Sequence, residues 1–345
     1  MTRLERLQAE LERPLLVTSE ANVRYLSGFR SSNAALLVES ERVRLCTDSR
    51  YTAAARLVPE VEVVDIGRDL FAGLAQLLTG EVFFEADAVT VAAFEKLRSS
   101  GASLAAAGGL VEELRVVKDS GELELVRRAA ELTNEAYRRL ASEPFRGRRE
   151  VDLAWRMREL FHELGAEEEA FPTIVASGPN GAFPHAEATG RVVREGDFVV
   201  VDAGAVVDGY CADCTRTFVC GDPPDELHRA YEICLAAQEA GVAAVRAGAL
   251  AREVDAAARD LIEASEFAGR CGHGLGHGVG VEVHEAPSLR AAAGETRLQA
   301  GNVVTVEPGI YLEGLGGVRI EDLLVVTDDG AELLTTFPKQ LVSVG

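Results

Sequence analysis

Lysine is almost absent from this chain. Lys96, Lys118 and Lys339 are the only ones in 345 residues, and arginine supplies nearly all of the 35 positive charges. Against these stand 56 acids, for a formal net charge of -21. Such a surface repels polyanions on average, which argues against a nucleic acid or an anionic membrane as partner. Long apolar runs are also missing. The longest candidates, such as Leu104–Leu110, fall far short of the roughly 18 residues that span a bilayer. The first residues, Met1-Thr-Arg-Leu-Glu-Arg, are charged and amphipathic rather than signal-like, so a cytoplasmic protein is expected.

Cysteine is sparse, with six residues, and no export signal suggests an oxidising compartment, so reduced thiols are expected. Cys211-Ala-Asp-Cys214 has CxxC spacing, but a structural zinc site needs a second pair, and none follows. The stretch is also strand-like, where a thioredoxin-type pair would open a helix. Neither a Walker A sequence nor a GxGxxG after a strand is present, which removes the common phosphate-cradling folds. What remains, 47% apolar and 26% charged residues, is an ordinary globular composition long enough for about two domains.

The first third alternates strand-like runs (Pro14–Thr18, Ala34–Glu39, Val43–Cys46, Val61–Ile66, Val82–Glu85) with helical spacing at Ser49–Val58, Asp69–Leu78 and Thr90–Ser99. Ser49, Asp69 and Thr90 are the expected N-caps. This alternation predicts an α/β domain with a mixed sheet. Composition changes near 115–121, and the boundary is placed between residues 117 and 118. Beyond it, amphipathic helices are expected after Lys118-Asp-Ser-Gly and at Glu150–Leu164, Asp225–Arg246 and Leu250–Glu263. Strands are expected at Phe171–Ala176, Phe198–Val206, Tyr210–Val219, Val279–His284, Val303–Glu307 and Val318–Thr327. Here strands and helices segregate, which predicts an α+β domain with an antiparallel sheet.

Two segments of this second domain echo each other. Glu195-Gly-Asp-Phe-Val-Val-Val-Asp202-Ala-Gly204 resembles Ala300-Gly-Asn-Val-Val-Thr-Val-Glu307-Pro-Gly309, and each precedes a strand with a further acid, Asp213 or Glu321. Asp208-Gly209 is a strong two-residue hairpin signal. A turn there sets Asp202 opposite Thr215, with Asp213 two residues further along the same face. A turn centred on Gly314 sets Glu307 opposite Glu321, with Arg319 on that face. Two acid-bearing hairpins suggest a duplicated half-domain with pseudo-two-fold symmetry.

Four carboxylates among buried-strand residues must be protonated, paired or metal-bound. Arg216 and Arg319 neutralise two at most, whereas two divalent cations balance all four. Oxygen-rich donors suit Mn²⁺, and an imidazole extends the range to Co²⁺ or Zn²⁺. Cys271-Gly-His273-Gly-Leu-Gly-His277-Gly-Val-Gly-Val-Glu-Val-His284-Glu285 supplies three of the chain's six histidines. A bend among Gly276–Gly280 would bring His277 and His284 to one face.

With these residues the chain resembles the creatinase/methionine-aminopeptidase ("pita-bread") metallopeptidase family. The resemblance implies that Asp202, Asp213, His277, Glu307 and Glu321 bind two metal ions, most readily Mn²⁺, with Asp213 and Glu321 bridging. It also implies roles for His185 in Phe-Pro-His-Ala-Glu, His273, His284 and Tyr311, with Arg319 bracing the ligand carboxylates. The expected architecture is α+β: a C-terminal pita-bread domain (118–345) with a pseudo-two-fold antiparallel sheet, preceded by an α/β creatinase-like N-terminal domain (1–117). Asn22-Val-Arg-Tyr25-Leu-Ser-Gly28-Phe29 and Asp48-Ser-Arg50-Tyr51 resemble that N-terminal domain of proline-specific members.

The resemblance therefore implies a Xaa-Pro peptidase, acting as a homodimer on peptides with proline in second position. Glu307 is the expected proton shuttle, His185 and His284 the groups for the oxyanion or carbonyl, and His273 a wall of the proline pocket. Ala186–Gly196 is short, with no obvious insertion to block longer substrates, so aminopeptidase P is expected first. Arg191 and Arg194 keep a dipeptide-restricted prolidase open as the alternative. A methionine aminopeptidase, or a non-catalytic peptide-binding module, is a remote reading. The first usually lacks the N-terminal domain, and the second should have lost ligands.

Overall fold

A computed structural model describes residues 2–345. The chain forms two compact units, one ending at Arg115 and one spanning Val116–Gly345. The first unit is built on a six-stranded mixed sheet. Its strands are β1 (Leu15–Val17), β2 (Ala34–Val38), β3 (Val43–Thr47), β4 (Glu62–Asp65), β5 (Glu81–Glu85) and β6 (Ser103–Ala107). They lie in the order β4-β3-β2-β1-β5-β6. The β1–β2 and β2–β3 pairs are antiparallel, and the β3–β4, β1–β5 and β5–β6 pairs are parallel; helical crossovers join β3 to β4 and β5 to β6. Leu16, Leu37, Leu74, Val82, Phe84 and Leu97 close the core between sheet and helices.

Asp69 and Thr90 cap their helices through Ala72 N and Ala93 N. Ser49 does not cap. The helix there shortens to Thr52–Ala55 behind Tyr51, with no side-chain cap bond. Asp48 organises this turn instead, accepting from Arg50 N, the Arg50 guanidinium and Asn33 Nδ2. The stretch from Asn22 to Gly28 is a helix capped by Ser19 and closed by Gly28 at φ 69°, a left-handed stop that favours glycine. Asn22 is buried and donates to Glu85, so it ties this helix to β5.

The second unit places helices Ser120–Ala141, Glu150–Leu164, Asp225–Ala244 and Ala251–Glu263 over largely antiparallel strands. One sheet runs Val342–Ser343, Thr215–Val219, Phe198–Asp202, Ile174–Ser177. Another runs Glu285–Leu289, Gly276–Gly278, Val303–Val306, Asp322–Val326, Ala331–Leu333. The two echoing segments form equivalent hairpins. Each is pinched at its waist, where the strands leave the main sheet, and continues as a short ribbon, Ala205–Cys211 or Gly309–Arg319.

The expected continuous strands Phe198–Val206, Tyr210–Val219 and Val318–Thr327 are therefore each broken. Gly204 lies at one crossing, where a Cβ would run into the Ala212 carbonyl. The expected strand at Val279–His284 is also absent. Gly280 N donates to Glu282 O, and Glu282 N to Glu285 Oε1, so the chain reverses there. Among the described residues no helix is long and apolar enough to cross a membrane.

All six cysteines are free, five buried and Cys271 partly exposed. Cys211 and Cys214 face different carbonyls, Val281 O and Glu321 O. Burial pushes the Cys46 and Cys211 thiols up to about 12. At pH 8 only about one in 10⁴ of either would be thiolate, the reactive form. Iodoacetamide at that pH should therefore modify Cys271 alone in the native protein and all six after unfolding. Mass spectrometry reads the result, and native labelling of Cys46 would contradict it.

Candidate metal centre

The four acids sit at the hairpin waists. Asp202 ends strand Phe198–Asp202 and pairs in register with Thr215, while Asp213 lies in the break before Thr215. Val306 pairs with Asp322, which sets Glu307 and Glu321 in the adjoining breaks. At a waist the strand twist turns both carboxylates inward from backbones that have left the ladder. His277 comes from the short strand Gly276–Gly278, bound through its own N–H to Thr305 Oγ1. Gly276 permits that approach, since a Cβ there would strike the Thr305 carbonyl.

These side chains converge. Ligand-type atoms of Asp213, His277 and Glu321 all lie within 4.8 Å of one another. His277 Nε2 is 3.3 Å from Glu307 Oε1 and 3.7 Å from Asp213 Oδ2. His277 Nδ1 lies 3.1 Å from Gly278 O, a carbonyl that only accepts. Nδ1 therefore carries the hydrogen, and Nε2 faces the acids. Thr215 Oγ1 donates to Glu321 Oε2 at 2.8 Å, and Arg319 donates to Asp202 Oδ2 at 2.7 Å.

Protein groups alone leave the charge unbalanced. Arg216 does not face the cluster. Its guanidinium pairs with Asp322 at 2.8 Å and donates to the Phe337 carbonyl, because the strand carrying it turns it to the opposite face. Burial drives the carboxyls of Asp213 and Glu321 well above the usual range, reinforced by neighbouring carboxylates. Burial also raises Asp202, against the pull of Arg319. At Glu307 burial is outweighed by the His277 ring in its protonated form, which holds that carboxyl low, and Glu307 in turn raises His277 against its own burial. Asp202 Oδ1 and Asp213 Oδ1 are buried without a hydrogen-bond partner. Orphaned buried carboxylate oxygens beside an imidazole form a donor set that fits divalent cations.

The remaining expected residues separate into two groups. His185 and His284 are exposed and line the same cavity of about 450 Å³, with the His284 ring 4.3 Å from that of His277. The bend that brings these rings together falls at Gly280–His284, mostly beyond the expected Gly276–Gly280 window. His273 also lines the cavity, but both ring nitrogens are engaged. Nδ1 meets Gly274 O, and Nε2 meets the Tyr311 hydroxyl, each at 2.8 Å. Burial lowers the His273 pKa, so the neutral ring accepts from Tyr311 O–H, which itself accepts from Arg319 at 3.1 Å. Tyr311 is not among the cavity-lining residues. Its hydroxyl joins Arg319 to His273 rather than reaching substrate.

Arg191, expected as a basic group for substrate, is held by Asp197 and Ser177, and neither it nor Arg194 lines the cavity. The residue missed is Arg290. It lines the cavity, is exposed, and its side chain has no partner among the described residues. Its signal was in the sequence. His284, Ser288 and Arg290 share the period-2 face of one strand and its flanks, and all three line the cavity.

Comparison with known proteins places these features. Residues 124–328 match the metallopeptidase family M24, and residues 3–117 match the creatinase/prolidase N-terminal domain. The chain is 40% identical over 233 residues to a Xaa-Pro dipeptidase of Pyrococcus furiosus, covering 68% of this chain and 67% of that one. Among solved structures, the Xaa-Pro dipeptidase from Bacillus anthracis is similar with a TM-score of 0.94 and 35% identity, covering 99% of both chains. The X-Pro aminopeptidase from Thermotoga maritima is similar with a TM-score of 0.89 and 34% identity, covering 98% of this chain and 99% of that one. The likeness extends over both halves of this chain, and the family's chemistry implies divalent metal. This chain belongs to metallopeptidase family M24, with a creatinase/prolidase domain at its N-terminal side.

Proposed function

We propose that this protein hydrolyses Xaa-Pro dipeptides, with two divalent cations held by Asp202, Asp213, His277, Glu307 and Glu321. The observation that carries the dipeptide reading is Arg290, an unpaired guanidinium on the wall of the same cavity as the acids. In an apolar-walled cleft such a group recognises a carboxylate, and in a dipeptide the proline carboxylate lies one residue from the scissile bond. Phe171, Pro172, Ile174 and Pro184 supply apolar wall for the proline ring. The prolyl nitrogen has no N–H, so recognition must come from the carbonyl, the ring and the termini.

The bound cations would act as Lewis acids toward the scissile carbonyl and the attacking water, and four carboxylates with one imidazole favour Mn²⁺ over softer ions. Glu307, on the cavity wall, would accept a proton from that water and deliver it to the prolyl nitrogen as the bond breaks. His284 lines the cavity and can meet the substrate carbonyl, and loss of solvent on the cavity wall, with the adjacent His277, lowers its pKa. His185, from the loop after strand Ile174–Ser177, lines the same cavity. Arg319 holds Asp202 in place, and its link through Tyr311 orients His273.

A second reading, aminopeptidase P, is favoured by the cavity's rim. No residue of Ala186–Gly196 lines the cavity, so nothing from that segment blocks a longer peptide. Paired assays separate the two. The dipeptide reading expects cleavage of Xaa-Pro far faster than Xaa-Pro-Yaa, and Arg290→Met should raise KM for the dipeptide about 10- to 100-fold, the effect of losing one charged contact. Equal or faster turnover of the tripeptide would refute it in favour of the aminopeptidase.

A further inference from the structure

Glu150 opens helix Glu150–Leu164 and is fully buried, yet the centre described above does not use it. Its carboxylate is filled by the two feet of one loop. Oε1 accepts from Ser177 N and Oγ, both at 2.7 Å, where strand Ile174–Ser177 ends. Oε2 accepts from Thr189 N at 3.0 Å and Thr189 Oγ1 at 2.6 Å, where the chain returns. Asn180 Nδ2, inside the loop, reaches both oxygens. Backbone bonds repeat the clasp: Val151 N donates to Thr189 O, and Glu150 N to Arg191 O. The loop so enclosed, 178–188, carries Phe183, Pro184 and His185, and Arg319 donates to Pro184 O at 2.9 Å.

None of the direct donors on Glu150 is a cation, and the Arg191 guanidinium acts on it only through the Ser177 hydroxyl. Burying an anion among neutral donors costs desolvation that an apolar residue would avoid. What a carboxylate provides here, and an apolar residue cannot, is two acceptor oxygens locking both loop feet at one point. We propose that Glu150 is a positioning residue for the reaction, setting His185 over the cavity by clasping the 178–188 loop. This rests on the reading that His185 contacts substrate.

A double-mutant cycle tests it. Glu150→Gln presents an amide N–H₂ to donors and must release one foot. It should lower kcat by about 10²-fold, the cost of a misplacement of about 1 Å, with metal content unchanged and proteolysis newly directed to 178–188. In a His185→Ala background the same change should cost less than about 2-fold, because the group it positions is gone. Thr189→Val, at an exposed site, removes one donor and should show the same pattern at smaller amplitude if Glu150→Gln folds poorly. Undiminished turnover in both variants, or a full additional loss on top of His185→Ala, overturns the clasp. A His185→Ala enzyme with wild-type kcat instead refutes the role of His185, and with it this proposal. Impaired His185→Ala with an additive Glu150 effect refutes Glu150 alone.

Discussion

Asp213→Ala is expected to abolish both metal binding and hydrolysis, with kcat/KM falling at least about 10³-fold, or about 4 kcal/mol of transition-state stabilisation. Asp213, at the waist of the first hairpin, has a ligand-type oxygen within 4.8 Å of ligand atoms of His277 and Glu321, and one of its oxygens has no protein partner. Removing it takes away a donor central to the cluster rather than one at its edge. Metal analysis of the purified variant and a Xaa-Pro assay check the result together. Turnover at the wild-type rate without metal would refute the metal reading. Chelation of the wild-type protein should act in parallel. It restores mutual repulsion among Asp202, Asp213, Glu307 and Glu321 and removes ligand-linked stabilisation, so Tm should drop on chelation and recover on adding Mn²⁺. The Asp213→Ala protein, which has one buried acid fewer, should show little response to either.

The second large effect is expected at Glu307. Glu307 lines the same cavity as His185 and His284, with Oε1 3.3 Å from His277 Nε2, which places a carboxylate where a proton of the attacking water can be accepted. Glu307→Gln keeps the shape and one carbonyl oxygen but cannot carry the proton. It should lower kcat about 10²- to 10⁴-fold, the usual range for general acid–base catalysis, while retaining part of the metal and changing KM far less. Equal loss of metal and activity would reassign Glu307 to metal holding alone. A variant with normal kcat would remove it from the mechanism. The contrast with Asp213→Ala is the informative part, since both residues face the same cluster.

The hairpins explain why so much of this centre could be read in advance. Asp208-Gly209 forces a tight reversal, with φ of 46° and 87° at the two residues, and that turn sets Asp202 against Thr215 without any tertiary information. The Gly314 turn does the same for the second hairpin, where Leu312 pairs with Gly316. Local turn chemistry determines register, and register determines which acids share a face. Long-range matters were not legible in this way. Arg216 and Arg319 look equivalent in sequence, each on the return strand of an acid-bearing hairpin. Only packing sends Arg216 to Asp322 and the Phe337 carbonyl, and Arg319 to Asp202. Tyr311, expected at substrate, is drawn between Arg319 and His273 because both offer its hydroxyl a bond inside the wall.

The loops were the least legible part. Arg191 and Arg194 were the visible candidates for a substrate carboxylate, yet Asp197, only six residues beyond Arg191, captures its guanidinium. Arg290 shares a period-2 face with His284 and Ser288, but only the fold leaves its guanidinium on the cavity wall with no partner among the described residues. By itself the sequence determined the α/β and α+β halves, the family resemblance, the two hairpin registers and the set of acids and histidines that could serve a metal. These follow from periodicity, turn residues and charge balance, all of which act over a few neighbours along the chain. Only the tertiary structure decided which cations answer which acids, which hydroxyls and imidazoles remain free for substrate, and that Glu150 grips both feet of the His185 loop. Those outcomes depend on partners far apart in the chain competing for the same donors and acceptors, and the winner is set by burial and distance.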